Sequence, residues 1–186
     1  MSTFSKIASR LPHRRVYLKW MHWLMVPLFV WFVVVQPGDV RRLGPAAVQF
    51  HSVMGLAFVS LALFWTVDYM RKGLASRPGP KLPAKVRPFH QLLHKVLIWG
   101  IFLVALTGFG LGLTSAVLLW AGGIVPIAPP LDLPQANDFI GKVHEIEFYA
   151  LAVIAGMHAL FHLWRHFRLR DNALRIMAPK ILHRFL

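Results

Sequence analysis

Residues 143–164 read VHEIEFYALAVIAGMHALFHLW, an apolar stretch with histidines towards both ends. It is long enough to cross the hydrocarbon core of a bilayer, which takes about 20 residues of α-helix. His144 and His158 are fourteen residues apart, which in an α-helix is about 21 Å of rise and nearly four turns. The stretch therefore predicts a membrane-spanning helix that presents two imidazoles on one face, at two depths.

Three further stretches have the same character, and the four predicted spans cover residues 17–36, 51–69, 94–120 and 143–164. The third contains Gly108-x-x-x-Gly112, a face of small residues that lets a neighbouring helix or a flat ligand approach closely. Across the chain 56% of residues are hydrophobic and 15% are charged, against a charged fraction of about a quarter in soluble domains. The sequence predicts an all-α fold, an integral membrane four-helix bundle forming a single domain over residues 1–186.

The distribution of Lys and Arg predicts the orientation of the bundle. Five of these residues precede or begin the first span, seven lie in the second connection with Lys95 included, and six follow the last span. The first and third connections hold two and one. Because cytoplasmic segments carry the excess of Lys and Arg, both termini and the 71–93 segment are predicted to be cytoplasmic, and the 37–50 and 121–142 segments to face the other side.

The composition also excludes several classes of protein. The net charge is +14, but the basic residues form short blocks between apolar spans and leave no soluble basic face, so lipid rather than nucleic acid is the expected partner. There is no cysteine, which excludes disulfides, thiolate zinc sites, iron–sulfur clusters and covalently attached c-type haem. Any metal must therefore be bound by histidine, carboxylate or methionine.

Histidines in apolar spans are costly and indicate function. Six lie in the spans or at their ends: His22, His51, His94, His144, His158 and His162. The predicted topology places His22 and His158 near the cytoplasmic surface, and His51 and His144 near the opposite surface. A b-type haem takes axial imidazoles from two sides inside an apolar bundle, so these depths predict two haems, one held by each pair.

Other interpretations of the histidines stay open at this point. His22 lies between Trp20 and Trp23, as in the polar and aromatic belt of a membrane interface, and His94 is an alternative partner for His158. His144 precedes Glu145 and Glu147 and also suits a polar helix start. The whole set could instead be a zinc site or a proton relay.

The remaining histidines form a group around the predicted cytoplasmic ends of the third and fourth spans. His90 and His94 are one turn apart, and His162 and His166 follow His158 by one and two turns. Each is a spare ligand, a proton carrier for a quinone or a solvated residue.

Several motifs resemble the bacterial cytochrome b561 family, which includes stand-alone four-helix di-haem cytochromes and the b-type subunits of nickel–iron hydrogenases. The resemblance covers residues 17–179 and rests on His22-Trp23, on His51 four residues before Gly55, on His94, and on His144-Glu145 with His158. It is most specific in the tail RDNALRIMAP at residues 170–179. The resemblance implies His22, His51, His144 and His158 as iron ligands of two haem b groups in a bacterial inner membrane.

The resemblance also implies electron transfer coupled to the quinone pool, with ubiquinone as a substrate. Some stand-alone members oxidise superoxide, and Arg41, Arg42 and Lys142 would attract that anion on the predicted outer side. The hydrogenase-type subunits usually have a fifth helix, which is not predicted here. The alternatives are a relay subunit that serves a redox partner protein, and a haem-free protein. The apolar segment 121–141 is expected to be a lid over the outer haem or a docking surface.

Overall fold

The computed structural model describes residues 13–126, 128–178 and 180–185, which are mainly helical. The helices are α1 (Arg14–Val34), α2 (Pro37–Leu43), α3 (Pro45–Lys72), α4 (Arg87–Thr114), α5 (Pro134–Arg168) and α6 (Ala173–Met177). Short 3₁₀ segments cover Ala84–Val86 and Lys180–Phe185, and a small hairpin pairs β1 (Trp120–Ala121) with β2 (Val125–Pro126). Lys6 and Arg10, which belong to the basic N-terminal segment, and Pro179 of the tail motif lie outside the described residues.

Four helices in the described part of the chain are long and apolar enough to cross a membrane: α1, α3, α4 with its preceding 3₁₀ turn, and α5. At most 17% of the most apolar window of any of them is buried inside the protein. Their apolar side chains therefore face outwards, which is favourable in lipid and unfavourable in water. The predicted membrane four-helix bundle is confirmed.

The four long helices run alternately up and down. We call the end where α1 and α4 begin and α3 and α5 end the basic end, because most Lys and Arg residues lie there. The opposite end is called the far end.

The long helices begin earlier in the chain than the sequence predicted. α3 and α5 begin at Pro45 and Pro134, because proline fits the first turn of a helix, where its missing N–H has no helical partner. α5 has 35 residues and is about 52 Å long, well beyond the thickness of the hydrocarbon core. Much of the predicted 121–142 connection is therefore helix.

The third span ends at Thr114 rather than at the predicted Trp120. The chain that follows turns back, and the backbone N–H groups of Leu131 and Leu133 donate to the carbonyls of Leu113 and Thr114 at 3.0 and 3.1 Å. The Asn137 side chain donates to the carbonyl of Leu111 at 2.9 Å. These bonds satisfy the carbonyls that a helix end leaves free, so the helix stops although apolar residues continue.

The hairpin docks on the start of α3 at the far end. Ser52 accepts a hydrogen bond from the Gly122 N–H at 2.6 Å and donates to the carbonyl of Trp120 at 3.2 Å. Gly122 has φ +65°, and a Cβ there would lie 2.9 Å from Cγ2 of Val53, so this tight approach requires glycine. The hairpin therefore covers the two residues that follow His51.

Small residues of α4 bring α5 close. A Cβ at Gly100 would lie 3.0 Å from Leu151, and one at Gly108 would lie 3.4 Å from Cε1 of His144. The close approach predicted for the glycine face of the third span is confirmed at Gly108.

A layer of aromatic residues fills the middle of the bundle. Phe29 of α1 stacks on Phe58 of α3 with ring centroids 6.1 Å apart and meets Phe148 of α5 at 5.7 Å. Phe58 is buried together with Met25 and Ala62. By position along the helices, this layer separates the histidines of the basic end from those of the far end.

Two ion-pair networks fasten the basic end. Asp68 of α3 is 6% exposed, and its carboxylate pairs with Arg14 at 2.8 Å and with Lys72 at 3.5 Å. Arg165 of α5 pairs with Asp171 at 2.6 Å, and both side chains are almost fully buried. The first network ties the start of α1 to the end of α3, and the second fixes the chain that leaves α5.

Candidate haem-binding sites

His22 of α1 and His158 of α5 face each other at the basic end. Their ring centroids are 6.5 Å apart, and the Nδ1 atoms of both are buried without a hydrogen-bond partner. A bond between a metal and an imidazole nitrogen is about 2 Å long, so two ligands on opposite sides of one ion have ring centroids about 6 Å apart. The separation of this pair and its unpartnered nitrogens fit an iron held between the two rings.

His94 lies beside this pair on α4. Its ring centroid is 4.8 Å from that of His158, and its Nδ1 donates to the carbonyl of His90 at 2.7 Å. The separation between His94 and His158 is too short for ligands on opposite sides of one ion. Of the two alternatives for the partner of His158, the geometry favours His22.

The C-terminal tail closes the basic end next to His22. The Trp23 indole N–H donates to the carbonyl of Met177 at 2.6 Å. Asp171 also accepts a hydrogen bond from the Ala173 N–H at 2.9 Å, at the start of α6. The His-Trp motif and the tail motif, far apart in sequence, thus belong to one structural unit.

His51 stands at the far end, between α3 and α1. Its Nδ1 accepts a hydrogen bond from the Trp31 indole at 3.2 Å, and its ring meets Phe32 edge to face at 4.9 Å. An acceptor Nδ1 in a neutral imidazole places the proton on Nε2. Binding of iron through Nε2 therefore requires that this hydrogen bond be released.

His144 also lies towards the far end, on α5, and is held by α4. Its Nδ1 is 2.9 Å from the Thr107 hydroxyl oxygen, and the Thr107 hydroxyl donates to Glu147 at 2.9 Å. With Nδ1–H donating to Thr107, the Nε2 lone pair of His144 is free for a metal. Metal-binding histidines commonly donate their second N–H in this way.

The two histidines of the far end are held by different neighbours. His51, on α3, contacts α1, whereas His144 contacts α4. Among the ring contacts of the described residues, none joins His51 to His144. Their pairing stays a prediction.

The glycines near two of these histidines leave free space. A Cβ at Gly156, two residues before His158, would meet no atom within 4 Å, and one at Gly55 would meet only the tip of Phe32 at 3.9 Å. The space at Gly55, one turn after His51, would admit the edge of a flat ligand, whereas Gly156 is exposed and lies on the opposite side of α5 from His158.

Sequence reasoning missed the role of Thr107 and treated Glu147 only as part of a polar helix start. The available signal was the spacing of His144 and Glu147, three residues apart and so on one face of a helix. Nothing in the sequence identified Thr107 as the residue of the neighbouring helix that joins them.

Comparison with known proteins identifies the family of this chain. The family model described as prokaryotic cytochrome b561 matches residues 13–180. The probable superoxide oxidase CybB of Yersinia pestis is 27% identical to this chain over 172 residues, which cover 86% of the chain and 92% of that protein. With its four membrane helices, the protein is a multi-pass protein of the bacterial inner membrane. The chain belongs to the prokaryotic cytochrome b561 family, which binds haem b and transfers electrons in the membrane.

Proposed function

We propose that this protein carries two b-type haems and moves electrons between the far end and the basic end of the bundle, coupled to the quinone pool. The observation that carries the proposal is the half-buried pair His22 and His158, whose ring centroids are 6.5 Å apart. The second haem is assigned to His51 and His144, fourteen residues along α5 from His158. By the distribution of Lys and Arg, the basic end is cytoplasmic and the far end faces the periplasm.

Each bound haem supplies an iron that accepts and releases one electron at a time. The chain would supply imidazole ligands to the iron and an apolar surround that excludes water. Thr107 accepts from the Nδ1–H of His144 and donates to Glu147, which holds the ring of His144 in one orientation and increases its basicity. The layer of Phe29, Phe58 and Phe148 keeps the interior between the two levels dry.

We assign superoxide oxidation to the far end of the bundle. Ubiquinone accepts the electrons that superoxide releases. The name of the Yersinia pestis relative supports the first assignment. Superoxide loses one electron and leaves as dioxygen, and two such electrons with two protons convert ubiquinone to ubiquinol. Ubiquinone is apolar and reaches the protein through the lipid that surrounds the four helices.

The charges at the far end attract superoxide only modestly. Arg42 is exposed, whereas Lys142 forms an exposed ion pair with Asp138 at 2.8 Å, which cancels part of its field. The side chain of Arg41 lies outside the described residues. Among the described side chains of the three cations expected to attract superoxide, only that of Arg42 forms no ion pair. The long-range attraction of superoxide is therefore weak and sensitive to salt.

A second candidate function is a relay subunit that passes electrons to a partner protein. A partner would contact the exposed apolar tip of the hairpin, where Ile124 is 76% and Trp120 49% exposed. Such residues suit a protein contact or the membrane interface equally well.

Turnover by the isolated holoprotein separates these functions. We expect purified protein supplied with superoxide and a short-chain ubiquinone to reduce the quinone, with superoxide dismutase suppressing the rate. His158→Ala should abolish turnover, and His13→Ala, at an exposed position outside the spans, should retain it. Haem-loaded protein without superoxide-dependent reduction would contradict the enzyme proposal, and co-purification of a redox protein would then favour the relay.

A further inference from the structure

We propose that His90, His94 and His162 form a binding site for one divalent transition-metal ion at the basic end, separate from the axial ligands. The three side chains each offer one ring nitrogen, and these nitrogens all lie within 4.8 Å of one another. His90 and His94 are one turn apart on α4, and His162 comes from α5. A pair of histidines at this spacing on one helix is a common way to bind zinc.

The hydrogen bonds around the cluster leave the metal-facing nitrogens free. His94 donates from Nδ1 to the carbonyl of His90 at 2.7 Å, so its Nε2 carries a lone pair. Nε2 of His90 is 3.2 Å from the Ser76 hydroxyl, and when it donates to that oxygen, Nδ1 carries the lone pair. Histidines that bind metals are typically fixed by such bonds from their second nitrogen.

Two of the nitrogens lack any other use. Nδ1 of His90 and Nε2 of His162 are buried and have no hydrogen-bond partner, and His90 is 0% exposed. Buried polar atoms without a partner are uncommon, and each needs a reason. A shared metal ion satisfies both.

The geometry is close to what an ion needs. The ring centroids of His90 and His94 are 4.4 Å apart, and that of His162 lies 5.9 and 5.4 Å from them. Zinc binds imidazole nitrogens at about 2.0–2.1 Å in a tetrahedron, so the nitrogens must close to roughly 3.4 Å, which small rotations of the rings provide. Three histidines leave one position open for water or another ligand.

The charges nearby do not prevent binding of a cation. Arg165 follows His162 by three residues on α5, but its charge is paired with the buried carboxylate of Asp171 at 2.6 Å. Phe161 and Phe89 pack together beside the cluster with ring centroids 5.4 Å apart. Neutral imidazoles in such surroundings suit Zn²⁺, Cu²⁺ or Ni²⁺, and Zn²⁺ is the cleanest probe because it has no redox chemistry.

The position of the metal site suggests that the ion influences the neighbouring haem, an inference that rests on the proposed function. The rings of His94 and His162 lie 4.8 and 4.5 Å from that of His158. A divalent charge there favours the reduced state of a haem held by His22 and His158, and so raises its midpoint potential. The ion would thus tune electron delivery at the basic end.

Zinc binding to the haem-loaded protein tests the site itself. We expect one Zn²⁺ per chain after gel filtration, measured by mass spectrometry of the metal. His90→Ala and His162→Ala should each weaken binding at least tenfold with haem content unchanged, and His13→Ala should bind as the wild type does. Equal binding by the wild type and the His90→Ala/His162→Ala double variant would overturn the proposal.

A redox titration with and without Zn²⁺ tests its effect. We expect zinc to raise the midpoint potential of one haem and leave that of the other unchanged, with no shift in His90→Ala. Zinc that binds without moving either potential would contradict the tuning role, and zinc that expels a haem would show that the site is not separate from the axial ligands. Zinc binding to a protein that never holds haem would leave the site standing and contradict the proposed function instead.

Discussion

At the scale of single residues, the hydrogen bonds of Thr107 tune the histidine assigned to the far-end haem. Thr107→Val keeps the shape of the side chain but removes the acceptor for Nδ1 of His144 and the link to Glu147. The imidazole then becomes a weaker electron donor, which disfavours oxidised iron. We expect one haem potential to rise by on the order of 60 mV, equivalent to a tenfold shift of a one-electron equilibrium, with haem content unchanged.

Thr66→Val is the matched control for this substitution. Thr66 is buried and, like Thr107, donates to a carbonyl of its own helix, that of Ala62 at 3.0 Å, but none of its hydrogen bonds among the described residues reaches a histidine. Potentiometric titration should show both haems at wild-type potentials in this variant. Equal shifts in the two variants would mean that the network does not act through His144.

Asp68 is a residue whose loss should weaken the basic end. It is a buried carboxylate that pairs with Arg14 and Lys72, and Asp68→Asn leaves both cations without their counter-charge. We expect roughly 1–3 kcal/mol less stability, because the partly buried Arg14 loses the charged acceptor of its hydrogen bond. Thermal denaturation, followed through the haem absorbance, measures the change.

Asp138→Asn provides the comparison, because it breaks an ion pair of similar length that is fully accessible to solvent. Asp138 and Lys142 are 69% and 70% exposed, and such surface pairs contribute about 0–1 kcal/mol. A loss of stability as large as that of Asp68→Asn would refute the special role of the buried network.

At the scale of elements, Gly108 fixes how closely α4 approaches the ring of His144. A Cβ there already lies 3.4 Å from Cε1, so the longer side chain of Gly108→Leu must displace the imidazole. We expect this variant to lose one haem and keep the other, as measured by haem content and the reduced spectrum.

The control for Gly108→Leu is Gly110→Leu on the same helix. A Cβ at Gly110 would contact only Ile140, at 3.5 Å, so the added bulk falls on a flexible apolar side chain. This variant should retain both haems. Loss of haem from both variants would indicate general damage to the helix pair rather than displacement of His144.

The helices themselves followed from hydropathy, but their ends did not. Residues 115–120 are apolar enough to extend α4, yet the helix ends at Thr114 because Leu131, Leu133 and Asn137 bond to its last carbonyls. Those hydrogen-bond donors are distant in sequence from the end of α4, and no local sequence pattern predicts them. The role of Asp68 was likewise not predictable from the sequence, because its ion-pair partner Arg14 is distant in the chain and meets it only in the folded bundle.

At the scale of the whole molecule, the distribution of Lys and Arg predicts that the basic end lies in the cytoplasm. A green fluorescent protein fused after Leu186 should therefore fluoresce, and an alkaline phosphatase fused at the same place should be inactive. The opposite result would invert the assignment of superoxide to the far end and place His22 and His158 on the periplasmic side.

Sequence spacing predicted the site in part. The fourteen-residue interval on α5 set two levels, and the structure places His22 opposite His158 at one of them. It places His51 and His144 against different helices at the other. The sequence predicted the depth of each histidine in the membrane but not which helices are neighbours. The arrangement of neighbouring helices depends on tertiary contacts such as those of Gly108 and Ser52.

The central claim is that two haems sit at two depths along α5. A reduced-minus-oxidised spectrum, with haem and iron quantified per chain, tests it on the wild type, His144→Ala and His158→Ala. We predict about two b haems in the wild type and the loss of a different one in each variant, distinguishable by potential. Absence of haem from the wild type, or loss of the same haem in both variants, would contradict the claim.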